Sequence, residues 1–305
     1  MNAETQSQPL DPTIQSIERR WQEAGIPGLY AGGNGPVSRE RASNIRAFLY
    51  PKPALPTGRI ERASIAGPGG EIAIRIVQPH QGRPNGTLVY FHGGGWIIGD
   101  LDSHEAHVVR IANRAGVAVV NVAYRLAPEH RFPAAPLDAI AAVRWTDQHK
   151  GRLGGAAAPL AVGGDSAGGN LAAVTAIQCR DDGIALGAQL LIYPATDLTA
   201  LRDPDIRQAY FGDRAEELAR DPRASPLLST SLAGVAPAIL GVGRHDFLYG
   251  DNLAYAAALR RAGVRLIMRE HPTLNHGFFS YTGISPVCAA AADELCDDLR
   301  ALLGR

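Results

Sequence analysis

The chain has 305 residues, 30 basic against 30 acidic side chains, and 46% hydrophobic residues. That length suits one large α/β domain or two small ones, and the balanced charge gives no long-range field towards nucleic acid or an anionic membrane. No window holds the ~20 consecutive apolar residues of a transmembrane helix, and glycine and proline (34 and 21 residues) stay below low-complexity levels.

Met1 to Pro12 is polar and lacks the apolar core of a signal peptide. Cys179, Cys288 and Cys296 have neither metal-type nor redox spacing, so unbridged thiols packed in or beside helices are expected, in a cytoplasmic protein. Asp11 and Pro12 then suit a helix start, with Ile14, Ile17 and Trp21 on one face and Gly25 as the stop. Ser38 is a candidate cap for a second helix carrying Ile45, Phe48 and Leu49, which Pro51-Lys52-Pro53 and Pro56 break. Residues 1–50 must bury their apolar face on something later, either as a cover over a sheet or as an oligomer contact.

From Ile60 the rhythm changes. Ile72 to Ile76 alternates apolar and polar positions, as in a half-exposed antiparallel strand. Four continuously apolar runs follow, Leu88 to Phe91, Val117 to Val122, Leu160 to Val162 and Leu190 to Tyr193, which suit parallel strands covered on both faces. Helical patterns separate them: 103–115 with Val108, Ile111, Ala112 and Ala115, then 136–149 with Leu137, Ile140, Ala141 and Trp145, then Leu171 to Cys179. The alternation predicts a doubly wound α/β sheet in one domain. Residues 195–235, rich in charge and proline with short helical pieces, are too long for a simple connection and read as a lid or specificity insert. Strand and helix resume with Ala238 to Val242, Asn252 to Ala262, Val264 to Met268 and a closing helix from Val287 to Leu303.

Gly164-Asp165-Ser166-Ala167-Gly168 lies between an apolar strand and a helix. In that setting G-x-S-x-G places a serine on a sharp turn, with small neighbours because strand and helix nearly collide. Ala167 offers a free helix-start N–H. A glycine-rich turn with an incidental serine, or a phosphate loop, has the same composition, so partners decide. His92-Gly93-Gly94-Gly95-Trp96 ends the run Leu88 to Phe91, and its glycines let successive N–H groups converge on one point. Gly94, Gly95 and Ala167 are the predicted oxyanion donors; no P-loop lysine follows. His92 reads as orienting or packing rather than as a base.

Serine needs a histidine base oriented by a carboxylate. His276 is the candidate, in a loop past the last strand, at the sheet edge where the serine turn opens. His271 touches the strand end and His245 neighbours the acid. Asp246, just past Ala238 to Val242, is the predicted acid; its rival Asp251 reads as a helix cap. His104, Glu105 and His107 lack H-E-x-x-H spacing and are assigned solvated or capping roles, so no metal is expected.

These motifs, with Tyr124-Arg125-Leu126-Ala127-Pro128-Glu129 and His276-Gly277-Phe278, resemble the hormone-sensitive-lipase-like esterases, in the branch with an aspartate before the nucleophile. The resemblance runs from about residue 86 to the C-terminus. It implies the α/β-hydrolase fold, with an eight-stranded, mostly parallel sheet and a helical cap from about 1–50 and 195–235 over a core of about 55–194 and 236–305. It also implies hydrolysis of short- to medium-chain carboxylic esters without cofactor, by a monomer or homodimer. One departure stands out: Phe247 follows the acid where the family usually has proline. Arg125 and Glu129 are expected to anchor their loop, Asp165 to hold the oxyanion loop or the serine turn, and Trp96 to line the acyl pocket or simply pack. Amidase or lyase chemistry on the same triad, and a non-hydrolytic small-molecule receptor, are the alternatives that such a scaffold leaves open.

Overall fold

Strands buried on both faces need continuous apolar runs, and helices that cover them need one apolar stripe each. The computed structural model, which describes residues 8–31, 35–49, 55–155 and 157–304, follows that division. Its described strands are β1 (Ile60–Gly67), β2 (Gly70–Val77), β3 (Thr87–Phe91), β4 (Ala118–Val122), β5 (Leu160–Asp165), β6 (Ala188–Ile192), β7 (Ala238–His245) and β8 (Leu266–Asn275). They form one sheet in the order β1-β2-β4-β3-β5-β6-β7-β8. β1, β2 and β4 pair antiparallel, and every other pairing is parallel. All residues of β3, β4, β5 and β6 are buried, whereas β1 at the sheet edge is largely open to solvent.

The helices are α1 (Pro12–Glu23), α2 (Gly35–Leu49), α3 (Glu105–Ala115), α4 (Ala134–Leu153), α5 (Ala167–Asp182), α6 (Pro204–Phe211), α7 (Ala215–Leu218), α8 (Tyr249–Arg261) and α9 (Pro286–Leu303). Two helix pairs, α3 with α9 and α4 with α5, pack along the sheet. Burying Ile111, Leu171, Leu259, Leu295 and their like contributes roughly 1.5–3 kcal/mol each. Helix starts are encoded locally: Asp11 accepts the N–H groups of Thr13 and Ile14, Asp203 those of Asp205 and Ile206, and Ser285 that of Cys288, each before a proline at the first helical position. The three cysteines are free and buried in α5 and α9.

The structure corrects several boundaries. Ser38 is not a cap, because α2 begins at Gly35 and Ser38 is buried within it. The side chains of Phe48 and Leu49 and residues 50–54 lie outside the described residues. β7 runs on to His245, so Asp246 follows the strand directly. Asp251 is no cap either: it sits inside α8, where its carboxylate accepts Thr196 N at 2.6 Å and Thr196 Oγ1 at 2.6 Å. Burial raises the pKa of this carboxyl, and the Thr196 hydrogen bonds oppose that rise. The residue thus ties the start of the 195–235 segment to the core.

Candidate active site

β5 ends at Asp165 and α5 starts at Ala167, so a single residue makes the turn. Ser166 takes φ 54° and ψ −116°, a region sparsely populated by residues with a side chain, and such backbone costs on the order of 1–3 kcal/mol. Its N–H donates to Ile192 O at 2.8 Å and its C=O accepts from Asn170 N at 3.0 Å, which fixes the turn against β6. The flanking glycines are steric necessities. A Cβ on Gly164 would collide with the backbone of Gly168 and Phe91, and one on Gly168 would collide with Phe91 O and His92 O. Strand, turn and helix touch backbone to backbone here.

At the same carboxyl edge of the sheet, the loop after β8 carries His276 and the turn after β7 carries Asp246. His276 Nε2 lies 2.9 Å from Ser166 Oγ, and its Nδ1 lies 3.0 and 2.9 Å from the two oxygens of Asp246. Asp246 is buried, and its Oδ1 also accepts Leu248 N at 2.7 Å, so the carboxylate cannot swing. Two aromatic rings neighbour the imidazole, Tyr193 at 4.8 Å and Phe247 at 4.5 Å between centroids. Tyr193 is buried; Phe247 is 75% exposed. The structure therefore brings Ser166, His276 and Asp246 into one hydrogen-bonded line.

Beside the serine runs the glycine loop after β3. Gly94 and Gly95 have φ values of 123° and 60°, which favour glycine, and the C=O of Gly94 accepts from Ile97 and Ile98. Among the described residues, no protein acceptor takes the N–H of Gly94, Gly95 or Ala167. The N–H of Gly93, by contrast, donates to Asp165 Oδ1 at 3.0 Å, so it serves the loop's position. Tyr90 OH donates to the same oxygen at 2.6 Å, and His104 Nε2 lies 3.6 Å from Asp165 Oδ2. Burial alone would raise the Asp165 carboxyl, but the charge and hydrogen bonding of His104, with His107 and Tyr90, hold it well below the usual carboxylate range. Asp165 accordingly anchors the glycine loop.

The solvated or capping reading of His104 and His107 is overturned: both are buried, with perpendicular rings 4.7 Å apart. Their nearest ligand atoms and one of Asp165 lie within 4.8 Å of one another. The carboxylate is already bonded by Tyr90 and Gly93, and the two imidazoles complete the polar surroundings of this buried group. Glu105 pairs instead with the buried Arg75 on β2. His92 is buried, stacked on Tyr124 at 4.4 Å. His271 is buried against Phe278, and burial, then Arg269, lowers its pKa to about 4; it does not reach the serine's hydrogen-bonded line. His245 bonds Gln8 O at 2.8 Å. Trp96 is buried and stacks on Tyr210 of α6 at 4.5 Å, a packing arrangement beside the glycine loop.

Arg125 clasps Asp138 of α4 through backbone and guanidinium, while Glu129 pairs with Arg39 of α2. Arg39 also donates to Ile97 O at 3.0 Å. A Cβ on Gly95 would meet the Tyr30 ring at 3.0 Å. Tyr30, Arg39, Tyr193 and Tyr210 escaped sequence reasoning. Only Tyr193 had a signal, as the residue leaving a buried strand at the catalytic edge; the rest arrive through long-range packing.

A family model described as the alpha/beta hydrolase fold matches residues 88–280. The chain is 38% identical over 320 residues to the carboxylic ester hydrolase LipN of Mycobacterium tuberculosis, covering 97% of this chain and 84% of that protein. It is 37% identical over 232 residues to an ethyl acetate hydrolase of Pseudomonas putida, covering 69% and 72%. Among solved structures, an esterase of Pyrobaculum calidifontis superposes with a TM-score of 0.85 at 32% identity over 96% of this chain and 99% of that one. This chain belongs to the α/β-hydrolase family, among its hormone-sensitive-lipase-like members.

Proposed function

We propose that the chain is a serine carboxylesterase that hydrolyses short- to medium-chain acyl esters through an acyl-enzyme, with Ser166 as nucleophile, His276 as base and Asp246 as the orienting acid. The observation that carries this reading is the 2.9 Å contact between His276 Nε2 and Ser166 Oγ, backed by the Asp246 carboxylate on Nδ1. His276 takes the hydroxyl proton as Oγ bonds to the ester carbonyl carbon, and Asp246 stabilises the imidazolium in its working tautomer. The carbonyl oxygen becomes an oxyanion held by the N–H groups of Gly94, Gly95 and Ala167. As the carbon–oxygen bond to the alcohol breaks, His276 returns its proton to the leaving oxygen. Water then gives a proton to His276 as it attacks the acyl carbon; the bond from that carbon to Oγ breaks, His276 returns the proton to Oγ, and the acid leaves with Ser166 restored. No step calls for a cofactor or metal.

α1, α2 and the 195–235 segment are proposed to form the cap. Tyr30, Arg39 and Tyr210 all touch the Gly93–Ile98 loop, which supports that role. Trp96 is proposed to limit the acyl pocket from behind its stack with Tyr210. A cytoplasmic monomer or homodimer acting on small esters fits the unbridged thiols; no described helix is long and apolar enough to cross a membrane. A panel of nitrophenyl esters of graded acyl length tests the reading. Turnover is expected to peak at short or medium acyl chains and to vanish in Ser166→Ala with the fold intact. Wild-type rates in that variant would refute it.

A further inference from the structure

Of the described large hydrophobic side chains, Phe247 is by far the most exposed, at 75% against 37–47% for the others that stand out. An apolar ring left in water forgoes its hydrophobic stabilisation unless something else covers it in use. Its position says what that is. Phe247 follows the proposed acid, and its ring centroid lies 4.5 Å from the His276 imidazole at an interplanar angle of 44°. The other ring on that imidazole, Tyr193, is fully buried and closed to a ligand.

We propose that Phe247 is a specificity-determining residue that receives the alcohol portion of the ester and favours flat, aromatic alcohols. This rests on the esterase reading above. The leaving oxygen must come within hydrogen-bond reach of His276 Nε2 to collect its proton, so the alcohol's substituent lies against whatever flanks the imidazole on its open side. Tyr30 packs against Gly95 and Trp96 is part of the same glycine loop, whose N–H groups would hold the carbonyl oxygen rather than the alcohol. A phenyl alcohol can lie across the Phe247 ring as aromatic pairs do, whereas an ethyl group offers little contact. The turn does not depend on this side chain. Asp246 N donates to Gly243 O, Tyr249 N to Asp246 O and Leu248 N to Asp246 Oδ1, so backbone and acid hold its shape.

The test compares kcat/KM for phenyl acetate and ethyl acetate in the wild type, Phe247→Ala and Phe247→Leu. Both esters give the same acetyl-enzyme, so a change in their ratio belongs to the step in which the alcohol departs. The phenyl-to-ethyl ratio is expected to fall about five-fold in the alanine variant and by an intermediate factor in the leucine variant. The inhibition constant of phenol, which reads binding without turnover, should rise by a similar factor. A ratio and a phenol constant unchanged in Phe247→Ala, or an equal fall for both esters, would overturn the assignment while leaving the esterase reading standing. A wild type that hydrolyses neither ester would remove both.

Discussion

Asp165 accepts the backbone N–H of Gly93 at 3.0 Å across 72 residues of sequence, so the position before the proposed nucleophile grips the loop that carries the proposed oxyanion donors. One carboxylate thereby sets the distance between serine and glycine loop. Asp165→Asn keeps an acceptor for Gly93 but removes the charge that His104 and His107 surround; kcat/KM for nitrophenyl butyrate should fall about ten-fold. Asp165→Ala removes the anchor as well and should lose on the order of a hundred-fold, close to the loss of one oxyanion donor. Equal rates in both variants and the wild type would deny the anchor.

Asp246 meets Nδ1 of His276 with both oxygens, at 3.0 and 2.9 Å. Asp246→Asn preserves size but presents the wrong hydrogen-bonding partner to the ring, so the imidazole settles in a tautomer unable to accept the serine proton. Loss of kcat by roughly 10³–10⁴ is expected, without loss of thermal stability of the same order.

Two glycines separate steric need from backbone preference. Gly168 has Phe91 O and His92 O where a Cβ would stand, with backbone on both sides. Gly168→Ala must push β3 away from α5 and should destabilise by about 3 kcal/mol or more. Gly183, at the end of α5, has a φ of 72° but nothing within 4 Å of its would-be Cβ. Gly183→Ala should cost only ~1 kcal/mol, the strain of a left-handed residue. Chemical denaturation of both variants gives the comparison, and equal losses would contradict it.

His271 links stability to pH. Burial lowers its folded pKa to about 4 from an ordinary 6.5, with Arg269 adding to the shift, and its Nε2 has no hydrogen-bond partner among the described residues. The unfolded chain therefore binds this proton first. The contribution is fully present above pH 6.5 and is lost as pH falls towards 4, by up to about 3 kcal/mol. His271→Leu should flatten the fall of Tm between pH 7 and pH 5. A variant with the wild-type slope would show that other groups carry the acid response.

Much of this was legible because its causes are local. The four apolar runs became the four buried strands β3 to β6, and the Asp-Pro start of α1 was readable from two residues. The turn at Ser166 was readable because Gly164 and Gly168 stand where no side chain fits. Ser38 misled because a good capping residue also packs inside a helix, and only tertiary contact decides which. His104 and His107 misled for a related reason: a polar pair at a helix start reads as solvated until Asp165, about 60 residues on, arrives beside it. Phe247 was visible as a departure from the family's proline, but its contact with the imidazole depends on how β7 and β8 set their loops side by side.

The account's central claim is that Ser166 is the residue activated by His276. Intact-mass and peptide measurements after exposure to diethyl nitrophenyl phosphate test it most directly. One phosphoryl adduct on Ser166, forming at least a hundred-fold more slowly in His276→Ala, is the predicted result. An adduct on another residue, or the same rate in both proteins, would contradict the claim.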